Sequence, residues 1–101
     1  MRIKMSNFEH GKTRIMAEAR AALRRIGVES HCVMFDVHAT QTPPDGAALT
    51  VTAEGNTVSG WFTAGEIEDS RDHVERPDVR RKIASLVAGV KDAAGVNQAV
   101  N

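Results

Sequence analysis

The chain has 101 residues, a formal net charge of zero, 42% apolar residues and one cysteine. This length fits one domain whose core is large enough to fold alone, so we predict a single domain over residues 1–101, with an ordered core at about 10–93 and a frayed tail at 95–101. A net charge of zero argues against electrostatic steering of the whole molecule toward nucleic acid. One cysteine excludes an internal disulfide. No apolar run reaches the ~20 residues of a membrane span. These features predict a cytoplasmic protein without a membrane contact.

Positive and negative charges are segregated along the chain. No lysine or arginine stands between Arg25 and Arg71, and that stretch holds seven acids. The flanking segments therefore carry every cation. Because the middle is predicted to be a sheet and the flanks are predicted to be helices, we expect any phosphate or other polyanion to contact the helices.

The first predicted element is a helix at about 10–26. Its apolar residues recur at helical spacing and form one stripe. This stripe consists of Ile15, Met16, Ala19, Ala22, Leu23 and Ile26. Two starts are compatible with the sequence, an N-cap at Thr13 or a capping box of Ser6 and Glu9. Gly27 stands where a C′ glycine ends a helix.

The second predicted element is a strand over residues 30–39. Val33, Phe35 and Val37 alternate there with other side chains, which gives one apolar face and one mixed face. Residues 40–46 then include two prolines followed by aspartate and glycine, a composition typical of a loop.

Two further strands, 47–54 and 57–63, are predicted to pair through a two-residue turn of Gly55 and Asn56. The resulting register places the apolar residues on one face and the hydroxyl residues on the other. The expected pairs are Ala53 with Val58, Val51 with Gly60, Leu49 with Phe62, Thr52 with Ser59 and Thr50 with Trp61.

Thr63 and Glu66 form a capping box ahead of a weakly apolar segment, 64–76, which is either helix or loop and which Pro77 ends. The last predicted element is an amphipathic helix at about 78–93. Its apolar residues are Val79, Ile83, Leu86, Val87 and Val90.

The order α-β-β-β-(α)-α predicts an α+β fold, with a three-stranded antiparallel meander and the helices packed on one face. The helices and the sheet each have one apolar face, and these faces are expected to meet in one core. That core is predicted to contain Leu23, Ile26, Phe35, Leu49, Val51, Phe62, Ile83, Leu86 and Val90.

Residue spacing predicts neither a metal site nor a catalytic site. Cys32 and His38 share a strand face but lie about 20 Å apart at the rise of a strand, and neither C-x-x-C nor H-x-x-x-H is present. Asp36 and His38 are neighbours on one face, but no nucleophile elbow or oxyanion turn accompanies them. We expect no catalytic activity, no metal, no cofactor and no small-molecule ligand.

Trp61 is the single tryptophan, and the predicted register places it opposite the core face, beside Met34 and Thr50. A large aromatic side chain on an open sheet face can mark a partner site. Alternatively, the segment 64–76 or the Pro43-Pro44 loop covers it. A three-stranded sheet also has two edges, and the uncharged third strand is poorly protected against pairing with another chain.

Six basic residues on the helical flanks are candidates for anion or nucleic-acid contacts. They are Arg20, Arg24, Arg76, Arg80, Arg81 and Lys82. The alternative is a set of solvated helix faces with local ion pairs to Asp72, Glu75 and Asp78.

The order α-β-β-β-α, with the run Arg80-Arg81-Lys82-Ile83-Ala84 opening the last helix, resembles the double-stranded RNA-binding domain. The resemblance covers the topology of about residues 12–93 and implies that the first helix and the start of the last helix contact a duplex backbone. The chain departs from that family in loop 40–46, which lacks the family's histidine, in a long acidic linker after Thr63, and in its neutral charge.

These features together favour a small non-catalytic protein that acts by protein–protein binding or by self-association. The alternative function is weak, backbone-directed binding of structured nucleic acid through the basic helices.

Overall fold

The computed structural model describes residues 7–28, 31–35 and 45–99, with the side chains of the last helix described as far as residue 91. The elements follow in the predicted order. They are α1 (Asn7–Arg25), β1 (His31–Phe35), β2 (Gly46–Ala53), β3 (Asn56–Thr63), α2 (Ala64–Asp69) and α3 (Pro77–Ala99).

The three strands form one open antiparallel sheet in the order β1-β2-β3. Buried residues of α1, α2 and α3 join those of one sheet face in a single cluster, which confirms the α+β meander with helices packed on one face. Phe35 and Phe62 meet edge to face in this core, with ring centroids 6.0 Å apart. The other face of the sheet carries no helix of this cluster.

Helix α1 begins at Asn7, so an N-cap at Thr13 is wrong. Thr13 lies inside the helix, and its hydroxyl donates to the Glu9 carbonyl at 3.1 Å. Ser6, the cap of the competing capping box, lies outside the described residues.

The end of α1 is a Schellman motif built on Gly27, as the sequence predicts. Gly27 has φ +85°, the Val28 amide donates to the Leu23 carbonyl at 2.9 Å, and the Gly27 amide donates to the Arg24 carbonyl at 3.1 Å. Ile26 does not join the core, because the helix ends at Arg25 and the chain turns away. It is 36% exposed, so its predicted place in the core is wrong.

The tip of the β2–β3 hairpin is formed by Glu54 and Gly55, one residue earlier than predicted. Their φ values are +53° and +81°, and positive φ at both central positions is what a type I′ turn requires. Asn56 pairs with Ala53 instead of occupying the tip.

The predicted hairpin register is therefore wrong, since Val51 lies opposite Val58 and not opposite Gly60. The two registers differ by two residues and keep every side chain on the same face. The division into an apolar and a polar face therefore could not distinguish them. The observed register aligns two hydroxyl pairs, each joined at 3.1 Å, and a pair of β-branched valines, and such cross-strand pairs stabilise a sheet. These pairs are Thr50 with Ser59, Thr52 with Thr57, and Val51 with Val58.

Around the short helix α2, the predicted capping box is confirmed. The Glu66 amide donates to Thr63 Oγ1 at 3.2 Å, and the Thr63 amide donates to Glu66 Oε1 at 2.8 Å. Helix α2 ends at Asp69, well before Pro77, and α3 continues to Ala99, into the predicted tail.

Of the predicted first strand, His31–Phe35 is observed. The rest of that prediction, including Asp36, Val37 and His38, and most of the loop 40–46 lie outside the described residues. Within the part of the chain that is described, no helix has the length and apolar character needed to cross a membrane.

Candidate interaction site on the sheet

The outer edge of β3 carries backbone groups that point away from the sheet. β3 pairs with β2 on one side only. In a type I′ hairpin the two residues flanking the turn exchange hydrogen bonds, so the odd-numbered residues of β3 point their N–H and C=O groups outward. Two side-chain contacts agree with this direction. The Trp61 carbonyl accepts from Lys82 Nζ at 3.1 Å, and the Thr63 amide donates to Glu66.

The remaining outward groups are the N–H and C=O of Thr57 and Ser59 and the N–H of Trp61. Within the described residues, no backbone or side-chain group bonds to them. The strand Asn56–Thr63 contains neither a charge nor a proline, which are the usual devices that keep an edge from pairing with another chain. This part of the edge is therefore a ready template for an added strand.

The outer edge of β1 is also partly occupied, by a side chain of α1 at its central residue. Arg20 Nη2 donates to the Val33 carbonyl at 3.3 Å. This carbonyl points outward, since the even-numbered residues of β1 are those that bond to β2. An added strand at β1 would have to compete with Arg20.

A groove of about 420 Å³ runs beside the free edge, between β3 and α3. Its lining consists of Gly60, Trp61, Asp78, Arg81, Lys82, Ser85 and Leu86. Strand addition gains specificity from pockets that receive alternate side chains of the added strand. This groove lies where it can receive such side chains.

The open face of the sheet presents two large apolar side chains. Trp61 is 54% exposed and Met34 is 55% exposed, so the segment 64–76 does not bury Trp61. The Pro43-Pro44 loop, the other segment predicted to cover it, lies outside the described residues. Met34 lies opposite Thr50, but Trp61 lies opposite Ala48. Trp61 and Met34 are therefore about 12 Å apart between Cα atoms, from strand spacing and rise, and form two separate apolar points.

The indole of Trp61 lies over Gly46, the first residue of β2. A Cβ atom at Gly46 would stand 2.8 Å from Trp61 Cζ2 and even closer to the Phe62 carbonyl. The absence of a side chain at this position therefore lets the indole approach the sheet. Of the three residues predicted to form a partner face, Trp61 and Met34 are exposed and Thr50 is half-buried.

Arg76, one of the predicted anion contacts, is bound by acids of its own chain. Its Nη2 lies 2.7 Å from Asp78 Oδ2, and its Nη1 lies 2.8 Å from Asp69 Oδ2. The hydrogen bond to Asp78 and, to a smaller extent, the one to Asp69 raise the pKa of Arg76. The hydrogen bond from Arg76 in turn lowers the pKa of Asp78. An anion would have to displace both carboxylates.

Lys82 is held in a network that joins α2, β3 and α3. Its Nζ lies 2.7 Å from Glu66 Oε1, 3.1 Å from the Trp61 carbonyl and 5.4 Å from the Phe62 ring centroid. Burial alone would raise the pKa of Glu66, but the hydrogen bonds from Lys82 and from the Thr63 amide outweigh it and leave that pKa below its usual value. Lys82 therefore acts as a structural cation.

The other predicted cations do not form one continuous patch. Arg20 bonds to β1. Arg80 and Arg81 line different grooves, one on each side of α3. Arg24, Arg80 and Arg81 are exposed and make no ion pair within the described residues.

No group of three or more histidine, cysteine, aspartate or glutamate side chains is placed to hold a metal ion in the described part of the chain. Cys32 is a free, exposed thiol on the open face. Comparisons of the chain with models of protein families, with curated proteins and with solved structures found no match.

Proposed function

We propose that the protein acts by self-association through the outer edge of β3, without catalytic activity. The observation that carries the proposal is the row of outward backbone groups on β3, on a strand that has no charge and no proline. These groups are the N–H and C=O of Thr57 and Ser59 and the N–H of Trp61, and no described group bonds to them. A cytoplasmic location is part of this proposal and rests on the single cysteine.

The edge is complementary to itself when two copies meet about a two-fold axis at Ser59. In this antiparallel arrangement Ser59 lies opposite its own counterpart, and Thr57 of each copy lies opposite Trp61 of the other. All these residues direct their backbone groups outward, so the two Ser59 residues can exchange hydrogen bonds. In the Thr57–Trp61 pairs, the Trp61 carbonyl accepts the Thr57 amide with its second lone pair, beside its bond from Lys82. Two three-stranded sheets then become one sheet of six strands, and every such bond contributes about 0.5–1.5 kcal/mol net.

Side chains on the open face support the same pairing. Trp61 of one copy would lie beside Thr57 of the other, and an aromatic side chain opposite a β-branched one stabilises a strand pair by about 0.2–1 kcal/mol. The formal net charge is zero, so repulsion between copies is weak.

Sedimentation velocity over a range of protein concentrations tests the proposal. Ser59→Pro removes one outward amide, while the bonds of β3 to β2, made by the even-numbered residues, stay in place; proline is tolerated at such edge positions. Ser59→Ala is the matched control, because both variants lose the hydroxyl bond to Thr50. We expect the wild type and Ser59→Ala to associate at micromolar concentrations and Ser59→Pro to require at least about ten times more protein.

A thermal unfolding midpoint close to that of Ser59→Ala would show that Ser59→Pro is folded. If it is not folded, Thr57→Lys places a charge on the same edge and replaces it in the test. A wild type that stays monomeric at high micromolar concentration would refute the proposal, as would equal association of all three proteins.

Binding of structured nucleic acid through the basic helices is less well supported, because Arg20, Arg76 and Lys82 are already bound to acceptors of the chain. Salt separates the two functions. Affinity for a nucleic-acid duplex would fall steeply with rising salt, whereas strand pairing through neutral backbone groups would not.

A further inference from the structure

A second groove, of about 480 Å³, lies between α1 and α3, on the side of the helices away from the sheet's open face. Its floor is apolar and is formed by Ala22, Ile26, Val74, Ile83, Ala84 and Val87. This volume falls in the range of small-molecule sites, about 300–1,000 Å³, which are typically apolar with a few polar groups.

Ile26 gives this groove its exposed apolar surface. The residue continues the apolar stripe of α1, yet it is 36% exposed because the helix ends just before it. Met34 and Trp61, the other exposed large apolar residues among those described, are on the open face of the sheet. An apolar ligand in the groove would cover Ile26 without disturbing the core.

One end of the groove is cationic. Lys91 Nζ lies 3.0 Å from the Ile26 carbonyl, which fixes the ammonium at the groove. No other described group bonds to its two remaining N–H donors. Arg25 lines the same end, and its Nε donates to the Ala21 carbonyl at 3.4 Å. Neither cation forms an ion pair with a described carboxylate.

The opposite end has no net charge. Arg80 and Glu18 both line the groove there, next to Val74, and their opposite charges offset each other. Arg80 and Lys91 are three helical turns apart on α3, which makes the groove about 16 Å long at the rise of a helix. The groove is therefore polarised, with positive charge at one end and apolar surface between the two ends.

We propose that this groove binds a medium-chain amphiphilic monoanion, of the class of an alkyl carboxylate. The head group lies at Arg25 and Lys91, and the alkyl tail runs over Ile26 and Ala84 toward Val74. Charge complementarity sets the direction of the ligand, since a head group at the other end would meet Glu18. The site is built from two helices distant in sequence, so no local motif could reveal it.

Calorimetric titrations with three ligands of equal tail length test the charge requirement, each below its micelle concentration. They are decanoate, decyltrimethylammonium and decanol. We expect decanoate to bind at least about tenfold more tightly than decyltrimethylammonium, because only the carboxylate can accept hydrogen bonds from both cations. Octanoate, which is two methylenes shorter, should bind about tenfold more weakly than decanoate. Equal affinities for the anionic and cationic amphiphiles would overturn the proposal.

Variants of the groove test its location. Arg25→Ala and Lys91→Ala should each weaken decanoate binding about fivefold or more, whereas Arg24→Ala, which removes the adjacent exposed cation outside the groove, should leave it unchanged. Ala88→Phe fills the groove from an exposed position, and Ser85→Phe adds the same bulk on the other side of α3. Loss of binding in Ala88→Phe alone supports the site, and equal binding in both variants refutes it.

This inference does not depend on self-association, and Ser59→Pro separates the two. We expect Ser59→Pro to bind decanoate as the wild type does, because Ser59 lies on the open face of the sheet and the groove lies between the helices. If an acidic amphipathic helical peptide bound at Lys91 while decanoate did not, the groove would be a site for a protein helix and the proposal would be wrong.

Discussion

The two faces of the sheet are built from alternate residues of the same strands, yet their surroundings are opposite. On the face under α1 and α3, Leu49, Val51 and Phe62 are all 0% exposed. On the other face, Met34 and Trp61 are more than half exposed. One alternating pattern therefore has two roles. The covered residues stabilise the fold, and the exposed ones and the free edge remain available to another molecule.

Leu86→Ala on the covered face should strongly destabilise the fold. Leu86 is only 9% exposed and lies over Gly60, where an added Cβ would be 3.1 Å from its Cδ2. Truncation leaves a cavity above the strand, and we expect a loss of about 2–5 kcal/mol in the free energy of unfolding. Chemical denaturation measures this loss. Ser85→Ala, at the neighbouring exposed residue, is the control. A loss for Leu86→Ala below about 0.5 kcal/mol, the range of surface substitutions, would mean that Leu86 is not part of the core.

Two helical glycines, Gly11 and Gly89, differ in the space around them, because only Gly11 is in a tight contact. A Cβ at Gly11 would overlap the Ile67 backbone of α2, whereas a Cβ at Gly89 would rest 3.7 Å from Val58 Cγ1, in ordinary van der Waals contact. Gly11→Ala should therefore destabilise the protein by about 1–3 kcal/mol. Gly89→Ala should stabilise it by about 0.5–1 kcal/mol, since alanine favours the helix.

Equilibrium unfolding of both variants measures the difference. The same substitution in two helices then gives opposite signs, which composition and helix propensity alone would not produce. Equal effects at Gly11 and Gly89 would show that α1 and α2 are not in close contact at Gly11.

Glu66 links α2 to β3 and α3, at the border between the covered face of the sheet and the outer edge of β3. Its pKa is lowered from 4.5 in the folded state, because hydrogen bonds from Lys82 and Thr63 outweigh the effect of burial. A lowered pKa means that the charged carboxylate stabilises the fold above about pH 4.5, and that this contribution is lost as pH falls through the folded value. Glu66→Gln should cost about 1–2 kcal/mol at pH 7.

Thermal or denaturant unfolding between pH 7 and pH 3 checks the sign. The stability curves of the wild type and Glu66→Gln should converge as the pH falls below 4.5, since protonated Glu66 and the glutamine that replaces it are both neutral. The Arg76–Asp78 pair is present in both proteins, so its own pH dependence cancels in the difference. Curves that stay parallel to pH 3 would mean that Glu66 carries no charge-dependent stabilisation.

Hydrophobic periodicity and capping signals were sufficient to predict the fold class, the helix termini at Gly27 and Thr63, and most of the core. They failed for the hairpin tip, because turns at Glu54-Gly55 and at Gly55-Asn56 place the same residues on the same face. They also failed for Ile26, because its spacing continues a stripe beyond the residue where the helix ends.

The environment of the candidate site could be predicted only in part. The absence of charge and proline on β3 is visible in the sequence, and so is the position of Trp61 on the face away from the core. The partners of Lys82 and Arg20 are not visible, because Glu66 and Val33 reach them only through tertiary packing. Charge counts therefore overestimated the number of cations available to an external anion.

Trp61→Ala should have the smallest effect on stability and the clearest effect on association. Phe62, the next residue, is 0% exposed while Trp61 is 54% exposed, so the pair compares the two faces at one point of the strand. We expect Trp61→Ala to cost less than about 1 kcal/mol and Phe62→Ala about 3–5 kcal/mol.

In the wild-type monomer, Trp61 emission should be that of a solvated indole and be quenched by acrylamide. It should shift to the blue as protein concentration rises, because pairing at β3 brings Thr57 of the second copy beside the indole. A blue-shifted, unquenched emission at the lowest concentration would mean that Trp61 is covered within one chain, and would remove it from the association surface.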